Sequence, residues 1–336
     1  MTQQQVTPVR FIYRSESMVP LLTIMDKAGL WEREGIDVKN FAFSEDPLDA
    51  EEQLLDGGID FIFGNHVSPY MRLAQGHQMV CLAQTENWMH QWIATSPSVP
   101  EIRGLTGKRM VGVPLRNEKG KFTGHQNGNR ILILELQGAD TKTMEFISQK
   151  SVGNAVEAVR DGKAEACWVS PDHPEKAIEA GLLVHRLTPL PMVHSITYTT
   201  STERLQQHDG LETKLMKVLV DATHFLKTKK EETLELMKNP VGNMREGGME
   251  ELLDHYDEVA NEYSTKLLPR AEAIINVHKL ACMVYPEAKT VNPMELWDVS
   301  VLRNMFATGY VDKLYGGRQK VHSLIRAELD HAECGD

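Results

Sequence analysis

The sequence predicts an α/β fold built as two lobes, and three observations carry that prediction. Residues 9–63 alternate as strand, helix, strand, helix, strand, an order that yields parallel strands joined by crossover helices. The unit then returns. Ala155 to Pro171 echoes Ala50 to Pro69: each is a helix, an Asp-Gly turn, an apolar strand and a polar loop closing on Ser-Pro. Finally, 336 residues exceed what a single hydrophobic core commonly serves.

In chain order, Val9 to Tyr13 reads as the first strand, and Ser15, Glu16 and Ser17 form a polar loop. The next helix takes Ser17 as cap and Pro20 in its first turn. Leu21, Ile24, Met25 and Ala28 fall on one face, and Gly29 ends it. A strand from Gly35 to Phe43 follows, then a helix from Pro47 to Asp56 stopped by Gly57 and Gly58. Ile59 to Phe63 is a buried strand, and Ser68-Pro69 opens a helix to Gly76, with Ser68 as cap and Pro69 at the first helical position. Strands are predicted at Met79–Ala83 and His90–Thr95, and Leu105 to Pro114 leads into a new lobe.

Arg116 to Asn129 is polar and glycine-rich and reads as a long loop, followed by a helix carrying Ile131, Leu132, Leu134 and Leu136. Thr143–Ile147, Leu182–Leu187 and Val193–Thr199 read as strands, with Pro189 and Pro191 interrupting the pattern between the last two. The remainder is helical: Leu211–Lys229, Gly248–Tyr263, Pro269–Tyr285 and Pro293–Gly309. The charges at Lys227–Glu232 read as a solvated helix end. The domain reading is lobe 1 from 1–95 plus about 195–315, with the C-terminal helices, and lobe 2 from 96–194. Residues 316–336 read as a polar tail that packs loosely or frays.

Composition excludes several classes of function. A net charge of -11 without a dense Lys/Arg block argues against a nucleic-acid surface. No apolar run reaches the roughly 20 residues of a membrane span. The opening residues lack the charged and apolar regions of a secretory signal, so a cytoplasmic location is expected. Cys81, Cys167, Cys282 and Cys334 show no CxxC or zinc-like spacing, and Cys81 and Cys167 read as core thiols. No cofactor is expected. A small organic anion is the expected partner, and a homodimer is possible.

The most informative stretch is Phe61 to Tyr70. Asn65 and His66 lie between a strand end and a helix start, the place where ligands collect in open α/β sheets and where a helix N-terminus favours an anion.

Several ordered motifs carry a family resemblance. Leu21 to Val38, with Ala28, Gly29, Trp31, Gly35 and Ile36, resembles the opening of type II periplasmic-binding-protein folds. Leu54–Phe61, Ala74–Gly76, Leu105–Arg109, Ala158–Ala166, Pro293–Asp298 and Gly309–Asp312 are also similar. The resemblance covers residues 9–315 and is to the branch that binds alkanesulfonates, nitrate and thiamine-pyrimidine precursors. It implies a two-lobed fold with a cleft between the lobes, a helical C-terminal part, and strand-end loops of both lobes facing the cleft.

On that resemblance the cleft loops hold Ser15, Glu16 and Ser17; Asn65 and His66; Asn87 to His90; Gly124 to Gly128; Ser170 to His173; and His194. His66, His90, His125, His173 and His194 would then approach one cleft. Imidazoles suit acid/base chemistry or metal ligation, but no HxH or HxxxH spacing supports zinc, so no metal site is assigned.

Some relatives of the fold are enzymes, among them aromatic-acid decarboxylases, a desulfinase, chorismate dehydratase and a pyrimidine-precursor synthase. The desulfinase's nucleophilic cysteine falls where this chain has Ser15 to Ser17, and the synthase's Cys-rich motif is missing. The expectation drawn is a lyase resembling the decarboxylases, acting on a small, cyclic, carboxylated anion. His66 and His125 would transfer protons, and Glu16 would orient one of them or act as a base. Ser15, Ser17, Asn65, Ser68, His90, Asn127, Arg130, Trp168, Asp172, His173 and His194 would bind the substrate. The helix N-termini at Ser68 and near Gly128, with Arg130, would hold its charge, and Trp88, Trp92 and Trp168 would offer a flat face. The alternative is a binder without chemistry, either the solute receptor of an ABC-type importer or a ligand sensor.

Overall fold

The computed structural model describes residues 6–170, 173–242 and 256–334. The chain folds as two compact units. The larger holds Met1–Trp88 with Pro191–Asp336, and the smaller holds Met89–Leu190.

The larger unit begins with β1 (Thr7–Tyr13), α1 (Val19–Lys27), α2 (Leu30–Arg33), β2 (Ile36–Phe43), α3 (Pro47–Leu55), β3 (Phe61–Phe63), α4 (Pro69–Ala74) and β4 (Met79–Met89). The smaller contains β5 (Trp92–Thr95), β6 (Arg109–Val111), α5 (His125–Leu136), β7 (Glu145–Ile147), α6 (Gln149–Val152), α7 (Ala155–Arg160), β8 (Ala166–Val169), α8 (Glu175–Glu179) and β9 (Leu183–Arg186). β10 (Leu190–Ser201) returns the chain to the larger unit. That unit then adds α9 (Thr202–Gln207), α10 (Leu211–Thr228), α11 (Lys230–Met237), α12 (Tyr256–Glu262), α13 (Ala271–Val284), α14 (Ser300–Ala307), α15 (Tyr310–Leu314) and α16 (Arg318–Cys334). The predicted helix at Gly248–Tyr263 begins outside the described residues.

Each unit has its own five-stranded sheet, ordered β2-β1-β3-β10-β4 in the larger and β7-β6-β8-β5-β9 in the smaller. The parallel strands expected over residues 9–63 are present, and each sheet as a whole is mixed. β1 runs parallel to β2 and β3, and β6 runs parallel to β7 and β8. The strand beside each third strand, β10 or β5, is antiparallel. The α/β periodicity is local, whereas these two strands are recruited from elsewhere in the chain and nothing in their own residues states their direction.

The larger core stacks Phe11, Phe61, Phe63 and Tyr198 of the sheet against Leu21, Leu22, Ile24 and Met25 of α1 and Leu215, Leu219 and Leu226 of α10. The Phe11 and Phe63 rings lie 4.9 Å apart, and Tyr198 meets Phe63 edge-on at 4.4 Å. Cys81 and Cys167 are fully buried core thiols.

Three local expectations are corrected. Ser15, rather than Ser17, caps the first helical turn: its Oγ accepts the Ser17 N–H, and a 3₁₀ turn over Glu16–Met18 runs on into α1. Pro293–Gly309 is not one helix. A 3₁₀ turn at Pro293–Leu296 gives way to a bridge between Trp297 and Cys81, and Asp298 Oδ1 then accepts the Ser300 N–H at the start of α14. Over its described residues the polar tail is helical, and α16 lays Val321, Leu324 and Ile325 on the core at helical spacing. Glu328 on the same face accepts the Thr265 N–H (3.0 Å) and pairs with Lys227 (3.1 Å).

Candidate functional site

At the carboxyl ends of β1 and β3 the larger unit builds a closed polar network. Glu51 of α3 is fully buried. Its Oε1 accepts Asn65 Nδ2 (2.9 Å) and Ser68 Oγ (2.5 Å), and its Oε2 accepts Arg72 Nε (3.0 Å). Burial pushes the Glu51 carboxyl up, against the opposing pull of Ser68, Arg72 and Asn65. Asn65 spends the rest of its amide on Pro47 O and the Arg14 guanidinium, and its carbonyl accepts Thr199 Oγ1. Arg14 also donates to the carbonyls of Ser44 and Glu45.

His66, next on the loop, is 4 % exposed. Gln84 Nε2 donates to the carbonyls of Glu86 and His194, so Gln84 Oε1 faces Thr197 and takes its hydroxyl proton (2.6 Å). Thr197 Oγ1 is therefore left to accept from His66 Nδ1, 3.0 Å away, which assigns the imidazole its Nδ1–H tautomer. Burial first, then the charges of His194 and Arg14, hold the His66 pKa down at about 3. The ring is neutral throughout the physiological range.

A stability test follows. The unfolded chain binds this proton near the ordinary value of 6.5 and the folded chain only near 3. The contribution is therefore intact above 6.5 and is lost as pH falls through that window. His66→Gln is expected to lose less stability than wild type between about pH 7 and pH 4.5 in urea melts. Equal losses would contradict the assignment.

His194, on β10, puts Nδ1 3.2 Å from Glu86 Oε2. Burial works to lower its pKa, but the Glu86 hydrogen bond and the charges of Glu86 and Glu262 outweigh it and raise the value. Ser15 and Ser17 share a 2.6 Å hydroxyl contact, and the Ser17 carbonyl accepts Tyr263 OH (2.7 Å). Glu16 lies half-buried in the same turn. Trp88 is covered by the Arg270 guanidinium at 4.7 Å.

The smaller unit holds an open pocket of about 440 Å³. Its wall includes His90, Trp92, Gln126, Arg130 and Trp168, with Val111, Val113 and Val169, and none of its lining residues is acidic. Arg130 dominates its chemistry. The guanidinium lies 5.2 Å over the Trp168 ring, and Nε donates to Gln91 Oε1 at 3.1 Å. Among the described residues Arg130 has no carboxylate partner, and burial lowers its pKa. Gln126 lies in the first turn of α5, where the helix dipole adds positive potential.

The expected loop over Arg116–Asn129 ends early, because α5 already begins at His125. Gly124, at φ +105, admits the turn into the helix, and the Gly128 N–H closes the first bond on the Gly124 carbonyl. His125 and Asn127 are thus helical. Asn127 bonds the Thr123 carbonyl, and neither residue lines the pocket. The glycines and asparagines suggested a loop, but burial of Ile131 to Leu134 holds the helix.

Comparison with known proteins now places the chain. A family model described as "NMT1/THI5 like" matches residues 21–233, more than half the sequence. The chain belongs to the NMT1/THI5-like family. Solved structures share its fold. The periplasmic sulfonate-binding protein SsuA from Methylobacillus flagellatus KT gives a TM-score of 0.62 at 10 % identity, over 92 % of this chain and 97 % of that one. The aliphatic sulphonate binding protein SsuA from Escherichia coli gives 0.53 at 12 %, over 86 % and 96 %. The nitrate-binding protein NrtA from Synechocystis PCC 6803 gives 0.50 at 13 %, over 90 % and 89 %. No curated protein sequence matches significantly. The fold is therefore the α/β, two-lobed type II periplasmic-binding-protein fold with a helical C-terminal part.

Within this family member the expected site residues separate. His90, Arg130 and Trp168 line one pocket, while His66 and His194 share the network of the larger unit. Asn65 and Ser68 are internal, since their side-chain hydrogen bonds go to neighbouring protein groups. Ser68 stands at the cap position of α4 but caps nothing with its side chain, which corrects that expectation. His173 is exposed beside Glu175, and Asp172 lies outside the described residues. No group of three or more His, Cys, Asp or Glu among the described residues could hold a metal ion. No described helix is long and apolar enough to cross a membrane.

Sequence reasoning missed Glu51, Arg72, Gln84, Thr197 and Gln91. The pairing of Glu51 with Arg72 joins α3 to α4 and has no local signal in either segment.

Proposed function

We propose that this chain is a non-catalytic binder of a small organic anion, the anionic group being taken by the pocket of the smaller unit. The observation that carries the reading is Arg130: a half-buried guanidinium over the Trp168 ring, without a carboxylate partner among the described residues, in a pocket whose lining has no acid. In a chain of net charge -11 such a cation is the natural counter-charge for a ligand. The shared fold supports the same reading, since SsuA and NrtA are named as binding proteins for sulfonate and nitrate. Service to an importer or to a sensor fits equally.

The lyase expectation finds less support. His66, its proposed proton carrier, has a pKa near 3, so at neutral pH it is the neutral imidazole and its single N–H, at Nδ1, is engaged by Thr197.

The test is a thermal-shift screen of small carboxylates, sulfonates and nitrate, followed by mass spectrometry of each stabilising compound after prolonged incubation. A compound that raises Tm and is recovered unchanged is the expected result. One consumed at a rate that scales with protein concentration would overturn the reading in favour of an enzyme.

A further inference from the structure

Resting on the pocket as an anion site, we infer that the anionic group it takes is a carboxylate, engaged end-on by the two terminal nitrogens of Arg130. A guanidinium offers paired N–H donors along two kinds of edge: a side-on edge that includes Nε, and an end-on edge formed by Nη1 and Nη2. Gln91 Oε1 already occupies Nε at 3.1 Å, so the side-on edge is closed by the protein itself. Neither terminal nitrogen has a hydrogen bond among the described residues.

The fork is also held in place. Arg130 Cζ lies 5.2 Å from the centre of the Trp168 ring, and Nε is tied to Gln91. What remains is the end-on pair of donors. Two coplanar oxygens on one carbon match that pair. A sulfonate matches it with only two of its three oxygens and carries the third, charged and unpaired, out of the plane of the fork. Nitrate is planar but has no organic body to fill a pocket of about 440 Å³. Val111, Val113 and Val169 line that remaining space with apolar surface, which suits the hydrocarbon or ring part of an organic acid.

The experiment is calorimetric titration of the full chain with three matched pairs: acetate and methanesulfonate, benzoate and benzenesulfonate, nicotinate and pyridine-3-sulfonate. In each pair that binds, the carboxylate is expected to be at least about tenfold tighter. Arg130→Lys keeps the charge but loses the fork, and is expected to reduce that ratio to about twofold or less. Sulfonates binding as tightly as their carboxylates, or Arg130→Lys keeping the full ratio, would overturn the inference and leave the anion reading standing. Binding by no member of any pair would overturn both.

Discussion

Replacing Glu51 with leucine is expected to destabilise the protein by about 3–5 kcal/mol, the cost of breaking a buried ion pair by removing one partner. The substitution leaves Arg72, whose side chain is 12 % exposed, with only the more distant, exposed Glu52 (3.6 Å) as an acidic partner, and strips Ser68 Oγ and Asn65 Nδ2 of an acceptor. Asn65 still has Pro47, and Arg72 still has the Leu48 carbonyl, so the loss falls short of complete unfolding. Glu51→Gln separates charge from geometry. It keeps an acceptor for Asn65 and Ser68 but sets an amide N–H against Arg72 Nε, so the charge and one of the three side-chain hydrogen bonds are lost while the packing stays. Less than about half the leucine loss is expected there. Urea midpoints at constant slope measure both. A leucine variant within about 0.5 kcal/mol of wild type would show that the network does not hold the loop that carries His66.

The second large effect is on binding. Arg130→Leu is expected to weaken the best organic anion by about 100-fold, roughly 2.7 kcal/mol, with little change in stability. Arg130 makes one protein hydrogen bond, to Gln91, and one aromatic contact, to Trp168, so the folded state loses little when it goes. Titration calorimetry beside a melting curve separates the two readouts. Affinity within about threefold of wild type would mean that the anion is held elsewhere.

Much of the fold was legible because it is written in local patterns. Pro47 after Asp46, the Gly57-Gly58 stop and the apolar run into Phe63 fix an α-β step whose limits shift by only a residue or two in the structure. The antiparallel strands were not legible, because β5 and β10 pair with partners remote in sequence. In the candidate site, polar residues at strand ends were found, but their roles were not. Asn65 and Ser68 look like ligand-facing residues until Glu51, from the preceding helix, is seen to consume them. A buried acid inside an amphipathic helix looks no different in sequence from its exposed neighbour Glu52. His66 was read as a titrating group, yet its protonation is decided by Thr197, Gln84 and burial, none of which is local to it. Arg130 follows a loop-like stretch that is in fact the first turn of α5, so its position was found for a reason only partly right.

The most direct test of the central claim is a crystal structure of the full chain with the anion that stabilises it most. The account predicts the anionic oxygens within hydrogen-bond distance of the Arg130 terminal nitrogens, with Trp168 against the guanidinium and the compound chemically intact. An anion bound away from Arg130, or electron density for a transformed product, would contradict it.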